Sequence, residues 1–180
     1  MEVPRLHEEL SKHKAWNGGF TLTELIIVMV IMGLLLSIAS LNFHDWQIKS
    51  QIERQTRELY TDINTARTES IYRKLTHRIT FQPGSYVLKR YSSENEPSTA
   101  GTVLLTKNLS YQLTLDDGGL VTDKFIEFNM RGLISGTNFT SQNPTIRVNP
   151  VGTAAMFDCL IIDVARTNMG KMENGSCVSK

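Results

Sequence analysis

The sequence predicts an α+β protein in which one long N-terminal helix packs on an antiparallel β-sheet head. Three observations support this fold class. Residues 20–43 form an apolar run in which Glu24 is the one ionisable side chain. Residues 44–75 contain neither proline nor glycine, so nothing interrupts a helix there. From residue 77 onward, short strand-like runs alternate with turn residues.

The apolar run is long enough to cross a membrane as a helix. It would span ~36 Å, against ~30 Å for the hydrocarbon core of a bilayer. Glu24 lies one turn inside the run, and a charged side chain at the helix centre costs ~3 kcal/mol, less toward the ends. A carboxylate kept there needs a nearby cation. A cut between Gly19 and Phe20 supplies one, the new α-amino group, on the same molecule or on a neighbour.

The second half of the predicted helix is amphipathic. Apolar side chains recur at helical spacing and form a stripe of Ile48, Ile52, Leu59, Ile63 and Ala66. The opposite positions hold Lys49, Glu53, Arg54, Arg57, Asp62 and Arg67. The stripe must be covered, and the following ~100 residues are the candidate within the chain. A separate coiled coil is the alternative, but the stripe is short for one.

The C-terminal half predicts a β-rich head. Its candidate strands are residues 77–81, 86–91, 102–105, 109–115, 125–129, 145–148 and 158–164. Turns are expected at residues 82–85, which include Pro83 and Gly84, and at residues 116–119. The pattern leaves the strand order open.

Composition argues against a strongly charged partner. The chain has 180 residues, with 19 Lys and Arg against 18 Asp and Glu, for a net charge of +1. This balance predicts no bulk attraction to nucleic acid or to acidic lipid. The length suits one modest domain with an appendage.

The segment Gly19-Phe20-Thr21-Leu22-x-Glu24, followed by the apolar run, resembles the class III signal of type IV pilins and type II secretion pseudopilins. The resemblance implies that a prepilin peptidase cuts after Gly19 and methylates the nitrogen of Phe20. It also implies that Glu24 pairs with a neighbouring subunit's amine during assembly. Many pilins have a proline where this chain has Leu41, which leaves minor pilins and pseudopilins open.

Other readings of the N-terminus remain. A secretory signal peptide has a shorter apolar region and small residues at its cleavage site, a site that Ser37, Ala39 and Ser40 could mimic. A plain signal anchor is a second alternative, but it has no use for Glu24. A buried soluble helix is a third.

The resemblance implies a division of the chain and a topology. Residues 1–19 are the leader, 20–43 the transmembrane or filament-core helix, 44–76 its amphipathic continuation and 77–180 the head. Lysine and arginine flank the apolar run on both sides, so charge alone favours no orientation. Because the family's peptidase acts on the cytoplasmic side, the leader faces the cytoplasm and the head the periplasm. The implied partners are other pilin subunits, the peptidase, the inner-membrane assembly platform and membrane lipid.

Later stretches resemble the GspH/FimT-type minor pseudopilins and minor pilins. These are residues 66–74 with the strand that follows, residues 125–132, and residues 159–166 with Gly170 and Lys171. The resemblance covers most of the mature chain. Pilus and secretion machines both use such subunits, and the sequence does not separate them.

Cys159 and Cys177 are expected to form a disulfide. They lie symmetrically about Asn168, so pairing of residues 161–164 with 171–174 would bring them face to face. The bond would contribute ~3 kcal/mol by restricting the unfolded chain, and the periplasm permits it. Two free thiols are the alternative.

No catalytic, cofactor or metal motif is found, so we expect no enzyme. DNA binding during uptake is the rival function, because some members of the resembled subgroup bind DNA through a Gly-Arg-x-Arg pattern near the last hairpin. Here Gly170 and Lys171 keep the first half of that pattern, and Glu173 replaces the second arginine. The cations that could contribute are Arg147, Arg166, Lys171 and Lys180. Four scattered cations offer few phosphate contacts.

Overall fold

A computed structural model describes residues 19–93, 96–97, 99–115, 118–141, 143–150 and 153–180, with no side-chain description for residues 38–42. The leader expected at residues 1–19 therefore lies outside the described residues, apart from Gly19. So does the Asp116–Asp117 pair of the expected second turn. The chain divides into two units, one ending at Asn42 and one spanning Phe43–Lys180.

A continuous helix, α1, runs over Leu22–Arg73. The expected helix of residues 20–75 is thus present, two residues shorter at each end. In the first unit, every described side chain from residue 21 to residue 37 is exposed. Within the described chain, no helix combines the length and the apolar character needed to cross a membrane.

Among its described residues, the second unit contains the rest of α1 and ten antiparallel strands. They are β1 (Thr76–Gln82), β2 (Ser85–Tyr91), β3 (Thr102–Asn108), β4 (Leu113–Leu115), β5 (Lys124–Phe128), β6 (Ile134–Thr137), β7 (Thr145–Val148), β8 (Cys159–Ile162), β9 (Thr167–Glu173) and β10 (Ser176–Ser179). They form two five-stranded sheets, ordered β3-β2-β1-β5-β6 and β10-β9-β8-β7-β4. The head therefore holds two sheets where the sequence predicted one.

The apolar stripe of α1 joins the two sheets in one core. Ile52, Leu59, Ile63 and Ala66 are buried as predicted, and Ile48 packs partly buried at the edge. They share a cluster with Ile79 and Phe128 of the first sheet and with Ile146 and Leu160 of the second, among others. Burying one such side chain contributes about 1.5–3 kcal/mol relative to leaving it in water.

The prediction that Arg67 faces solvent was wrong. It is 9% exposed, and its Nη1 donates to the carbonyl oxygens of Gly132, at 2.7 Å, and Val164, at 2.9 Å. Its Nη2 donates to Asp163 O at 3.3 Å, and the guanidinium lies 4.7 Å from the Phe128 ring centroid. Burial lowers the pKa of Arg67, but arginine stays protonated in proteins.

The contacts of Arg67 tie the helix to one turn from each sheet. Gly132 lies in the β5–β6 turn, and Asp163 and Val164 lie between β8 and β9. Gly132 has φ +74°, and a Cβ there would lie 2.6 Å from Ile71 Cδ1. Glycine is therefore required for this turn to lie so close to α1.

Asp62 also faces the head instead of solvent. Its carboxylate accepts a hydrogen bond from the Tyr86 hydroxyl on β2 and lies 3.3 Å from Lys107 Nζ on β3. Burial, together with this hydrogen bond, raises the pKa of Tyr86, so the hydroxyl remains a donor. This cluster fixes the first sheet against α1.

The strand expectations were correct where alternation was clear and wrong where the runs were short. The expected strand at residues 109–115 is limited to β4, because β3 continues to Asn108 and the backbone of Leu109 bonds the β1–β2 turn at Gly84 O. β6, β9 and β10 were not among the candidate strands, although residues 171–174, which overlap β9, were expected to pair with residues 161–164. β6 and β10 are four-residue edge strands whose sequences show little apolar alternation.

His77 is a buried histidine in β1. Its Nδ1–H donates to Leu75 O at 3.1 Å, and Nε2 is buried without a hydrogen-bond partner among the described residues. Burial lowers the pKa of the imidazole from its ordinary 6.5. Nearby charges act in both directions: Glu69 raises this pKa, and Arg73 and Arg90 lower it.

We predict that His77 weakens the head in mild acid. Between the lowered folded-state pKa and the unfolded value of 6.5, the unfolded chain binds a proton that the folded chain excludes. The free energy of unfolding of residues 43–180 should therefore fall as the pH drops below about 6.5. His77→Asn keeps a donor but cannot titrate, so its urea-unfolding curve should lose this part of the pH dependence. Equal slopes for the two proteins would contradict the prediction.

Candidate processing and assembly site

The bond between Gly19 and Phe20 lies outside the helix. Both residues are non-helical and exposed, and the Phe20 side chain is 81% exposed. A Cβ added at Gly19 would meet nothing within 4 Å. A protease that cuts here therefore meets an accessible peptide bond just before the first helical turn.

Thr21 begins the helix as its N-cap. Its Oγ1 accepts a hydrogen bond from the backbone N–H of Glu24 at 3.2 Å, and its carbonyl accepts from Leu25 N–H at 3.2 Å. The sequence signal for this cap is Thr-x-x-Glu at residues 21–24, the pattern of a capping box. Removing such a cap costs about 1 kcal/mol.

Glu24 lies in the first turn of α1. A carboxylate there interacts favourably with the partial positive charge of the helix N-terminus, by about 0.3–1 kcal/mol. This interaction exists within one molecule and needs no neighbour. Glu24 therefore stabilises the start of its own helix, in addition to the intermolecular role that the resemblance implies.

The helix that follows presents apolar side chains in every direction. Ile26, Val28, Met32 and Leu35 are among those more than two-fifths exposed. Contiguous exposed apolar surface of this kind marks a contact with lipid or with other protein. Glu24 is the one charged side chain among the described residues of the first unit.

A second feature is the disulfide-bonded end of the chain. Cys159 in β8 and Cys177 in β10 form a disulfide, with Cα atoms 6.1 Å apart. The strands differ from the expected pairing. Cys159 lies opposite Gly170 and Cys177 opposite Met172, so Asn168 belongs to β9 and does not form the turn.

Gly170 lets the disulfide pass over β9, the strand that lies between β8 and β10. A Cβ at this position would lie 2.7 Å from Cys177 Sγ and 2.6 Å from the Val178 carbonyl oxygen. Asp158 anchors the same strand, because its Oδ1 accepts the Met172 N–H at 2.7 Å. Burial raises the pKa of this carboxyl.

The four cations considered for DNA contact differ in their burial and in their partners. Arg147 is buried and donates to Gly175 O at 2.8 Å. Lys180 Nζ lies 2.7 Å from Glu173. The side chain of Arg166 is 74% exposed, 3.8 Å from Asp163, and Lys171 is half-buried in β9. Glu173, which stands where the resembled pattern has its second arginine, thus pairs with the cation of Lys180.

The N-terminal segment matches a known sequence motif. Residues 17–40 match the model of the prokaryotic N-terminal methylation motif. The motif covers Gly19, Phe20 and Glu24, and it indicates a type IV pilin-like substrate of prepilin peptidase. It fits a membrane-anchored pilus or pseudopilus subunit and implies other pilin subunits as partners. Comparison with curated proteins and with solved structures finds no match.

We predict that Gly170→Ala destabilises the oxidised head by about 1–3 kcal/mol, as overpacking does in a filled site. The added methyl group would collide with the disulfide and with the β10 backbone. Gly84→Ala is the matched control, because a Cβ there meets nothing within 4 Å. Urea unfolding of residues 43–180 under oxidising conditions measures both. Equal stability of the two variants would contradict the close approach described here.

Proposed function

We propose that the chain is a non-enzymatic minor pilin or pseudopilin, a structural subunit of a type IV pilus or a type II secretion pseudopilus. The precursor is held in the inner membrane by residues 20–43, with the leader in the cytoplasm and the head in the periplasm. Prepilin peptidase cuts after Gly19 and methylates Phe20. The mature helix then packs against the helices of neighbouring subunits.

The observation that carries the proposal is the arrangement of the first helical turn. An accessible Gly19–Phe20 bond is followed by a capped helix whose first turn holds one carboxylate, and then by exposed apolar side chains. Cleavage places a cation four residues before Glu24. In an apolar environment a carboxylate and an ammonium group attract more strongly than in water, which favours their pairing between subunits.

We base the GspH/FimT subtype on the sequence resemblance of residues 66–74, which join α1 to the head. Residues 66–74 end the helix, and the chain turns at Lys74, with φ 57°, directly into β1. Arg67 in this stretch anchors the helix to both sheets. The subtype proposal covers the head, whereas the processing proposal depends on residues 19–24 and on the apolar helix that follows them.

The processing proposal is tested by the N-terminus of the protein recovered from cells that contain the peptidase. We expect a mature chain that starts at N-methylated Phe20 and lacks residues 1–19, seen by intact-mass and N-terminal peptide analysis. Gly19→Val should block the cut, and Gly18→Val is the matched control that should still be processed. A mature chain that starts near residue 40 would instead identify a secretory signal peptide.

The assembly role of Glu24 is tested by Glu24→Gln. Glutamine also suits the third position of a capping box, so the helix start is kept and the charge is lost. We expect normal cleavage but about tenfold less incorporation into sheared filaments, if the pair contributes about 1.4 kcal/mol. Thr21→Ala is the control, since it removes the cap and keeps the charge. Greater loss with Thr21→Ala than with Glu24→Gln would assign Glu24 to the helix cap alone.

A further inference from the structure

A groove lies beside the first helical turns of the second unit. Its described lining includes Asp45, Trp46 and Lys49 of α1 and Ala154 of the β7–β8 connection, around a hollow of about 470 Å³. An adjoining hollow of about 250 Å³ shares Trp46 and Lys49 and adds Met156. We call this surface, defined by Asp45, Trp46, Lys49, Ala154 and Met156, the Trp46 groove.

The Trp46 groove exposes large apolar side chains next to one another. Trp46 is 61% exposed and Met156 59% exposed, although both line the same hollow. Phe43 stacks on Trp46, with ring centroids 5.8 Å apart, and is itself exposed. Exposed apolar side chains that cluster in this way mark an interaction surface.

The β7–β8 connection is held in place at the groove by a hydrogen bond. The backbone N–H of Met156 donates to Glu53 Oε1 at 2.7 Å. This bond positions the Met156 side chain beside Trp46 and engages the Glu53 carboxylate.

The described lining of the two hollows carries one cation, Lys49, and two carboxylates, Asp45 and Glu53. Lys49 offers an ammonium group and Asp45 a carboxylate to a ligand, while Glu53 Oε1 accepts the Met156 N–H. A phospholipid head group with a phosphate and an amine presents the complementary pair. The indole N–H of Trp46 is a hydrogen-bond donor, and lipid esters and phosphates provide acceptors.

The position of the groove in the chain favours lipid as its occupant. Phe43 is the last residue of the apolar run, and Trp46 follows three residues later. Tryptophan is enriched at the membrane–water interface, where its ring lies at the head-group level. Lysine side chains place their methylene stems along apolar surface and their charge toward the polar region.

We propose that the Trp46 groove binds the phospholipid head-group interface, so that the head of the membrane-held subunit contacts the bilayer before assembly. This inference rests on the proposed membrane anchoring through residues 20–43. The alternative occupant of the same surface is a second copy of the chain, and the experiment distinguishes the two.

Trp46 is itself the probe. The chain has two tryptophans, Trp16 and Trp46, and cleavage after Gly19 removes the first. The full mature chain is reconstituted into phospholipid vesicles that carry bromine near the ester end or near the terminus of the acyl chains. We expect a blue shift of Trp46 emission and stronger quenching by the ester-proximal bromine.

Met156→Glu should reduce the shallow quenching, because it places a carboxylate beside the indole in the groove. Met130→Glu is the matched control, an exposed methionine in the β5–β6 turn outside the groove. Equal quenching in both variants would overturn the inference. So would shielding of Trp46 that appears only as protein density in the vesicles rises, since that result assigns the groove to a second copy.

Retention of the chain in the vesicles after alkaline washing is scored separately. A retained chain with unquenched Trp46 would refute the groove contact and leave membrane anchoring intact. A chain that is not retained would refute both anchoring and the groove contact.

Discussion

The structure of the head depends on the burial of one face of α1. Ile52, Leu59, Ile63 and Ala66 bring a single apolar surface to two sheets that share no hydrogen-bonded strand pair in the described chain. Without the helix, each sheet would expose an apolar face to water. The helix is therefore the common partner through which the two halves of the head form one core.

Polar contacts then set how each sheet lies on the helix. Asp62 bonds Tyr86 of the first sheet and attracts Lys107 on its edge strand. Gln55 bonds the backbone of Tyr111, on the approach to the second sheet, through both its amide nitrogen and its amide oxygen. These contacts surround an apolar interface, which explains why polar residues of the helix that lie beside the stripe are buried. A sequence pattern of one apolar stripe and one polar face cannot distinguish such residues from solvated ones.

The sequence predicted those parts of the fold that have strong local signals. The proline-free helix, its buried stripe and the β1–β2 hairpin around Pro83 and Gly84 are all present. The division of the strands into two sheets could not be predicted from the sequence. It depends on pairings between residues far apart in the chain, such as Leu113 with Val148. Arg67 was misassigned because its carbonyl partners come from turns that only the tertiary fold brings together.

More of the candidate site than of the head could be predicted from the sequence. Gly19, Phe20 and Glu24 lie within one short segment, so their spacing alone carries the motif that the family comparison matches. The role of Gly170 could not be read in the same way. Its neighbours are Cys177 and Val178 across the sheet, and sequence reasoning had assigned it to a DNA-contact pattern.

The contacts of Arg67 have a mechanical consequence. Because the guanidinium bonds carbonyl groups in turns that close hairpins of both sheets, a pull along α1 is transmitted to two sheets at once. Neither sheet can separate from the helix at that end without breaking bonds that also restrain the other. A subunit drawn by its helix would thus carry the load through its whole head.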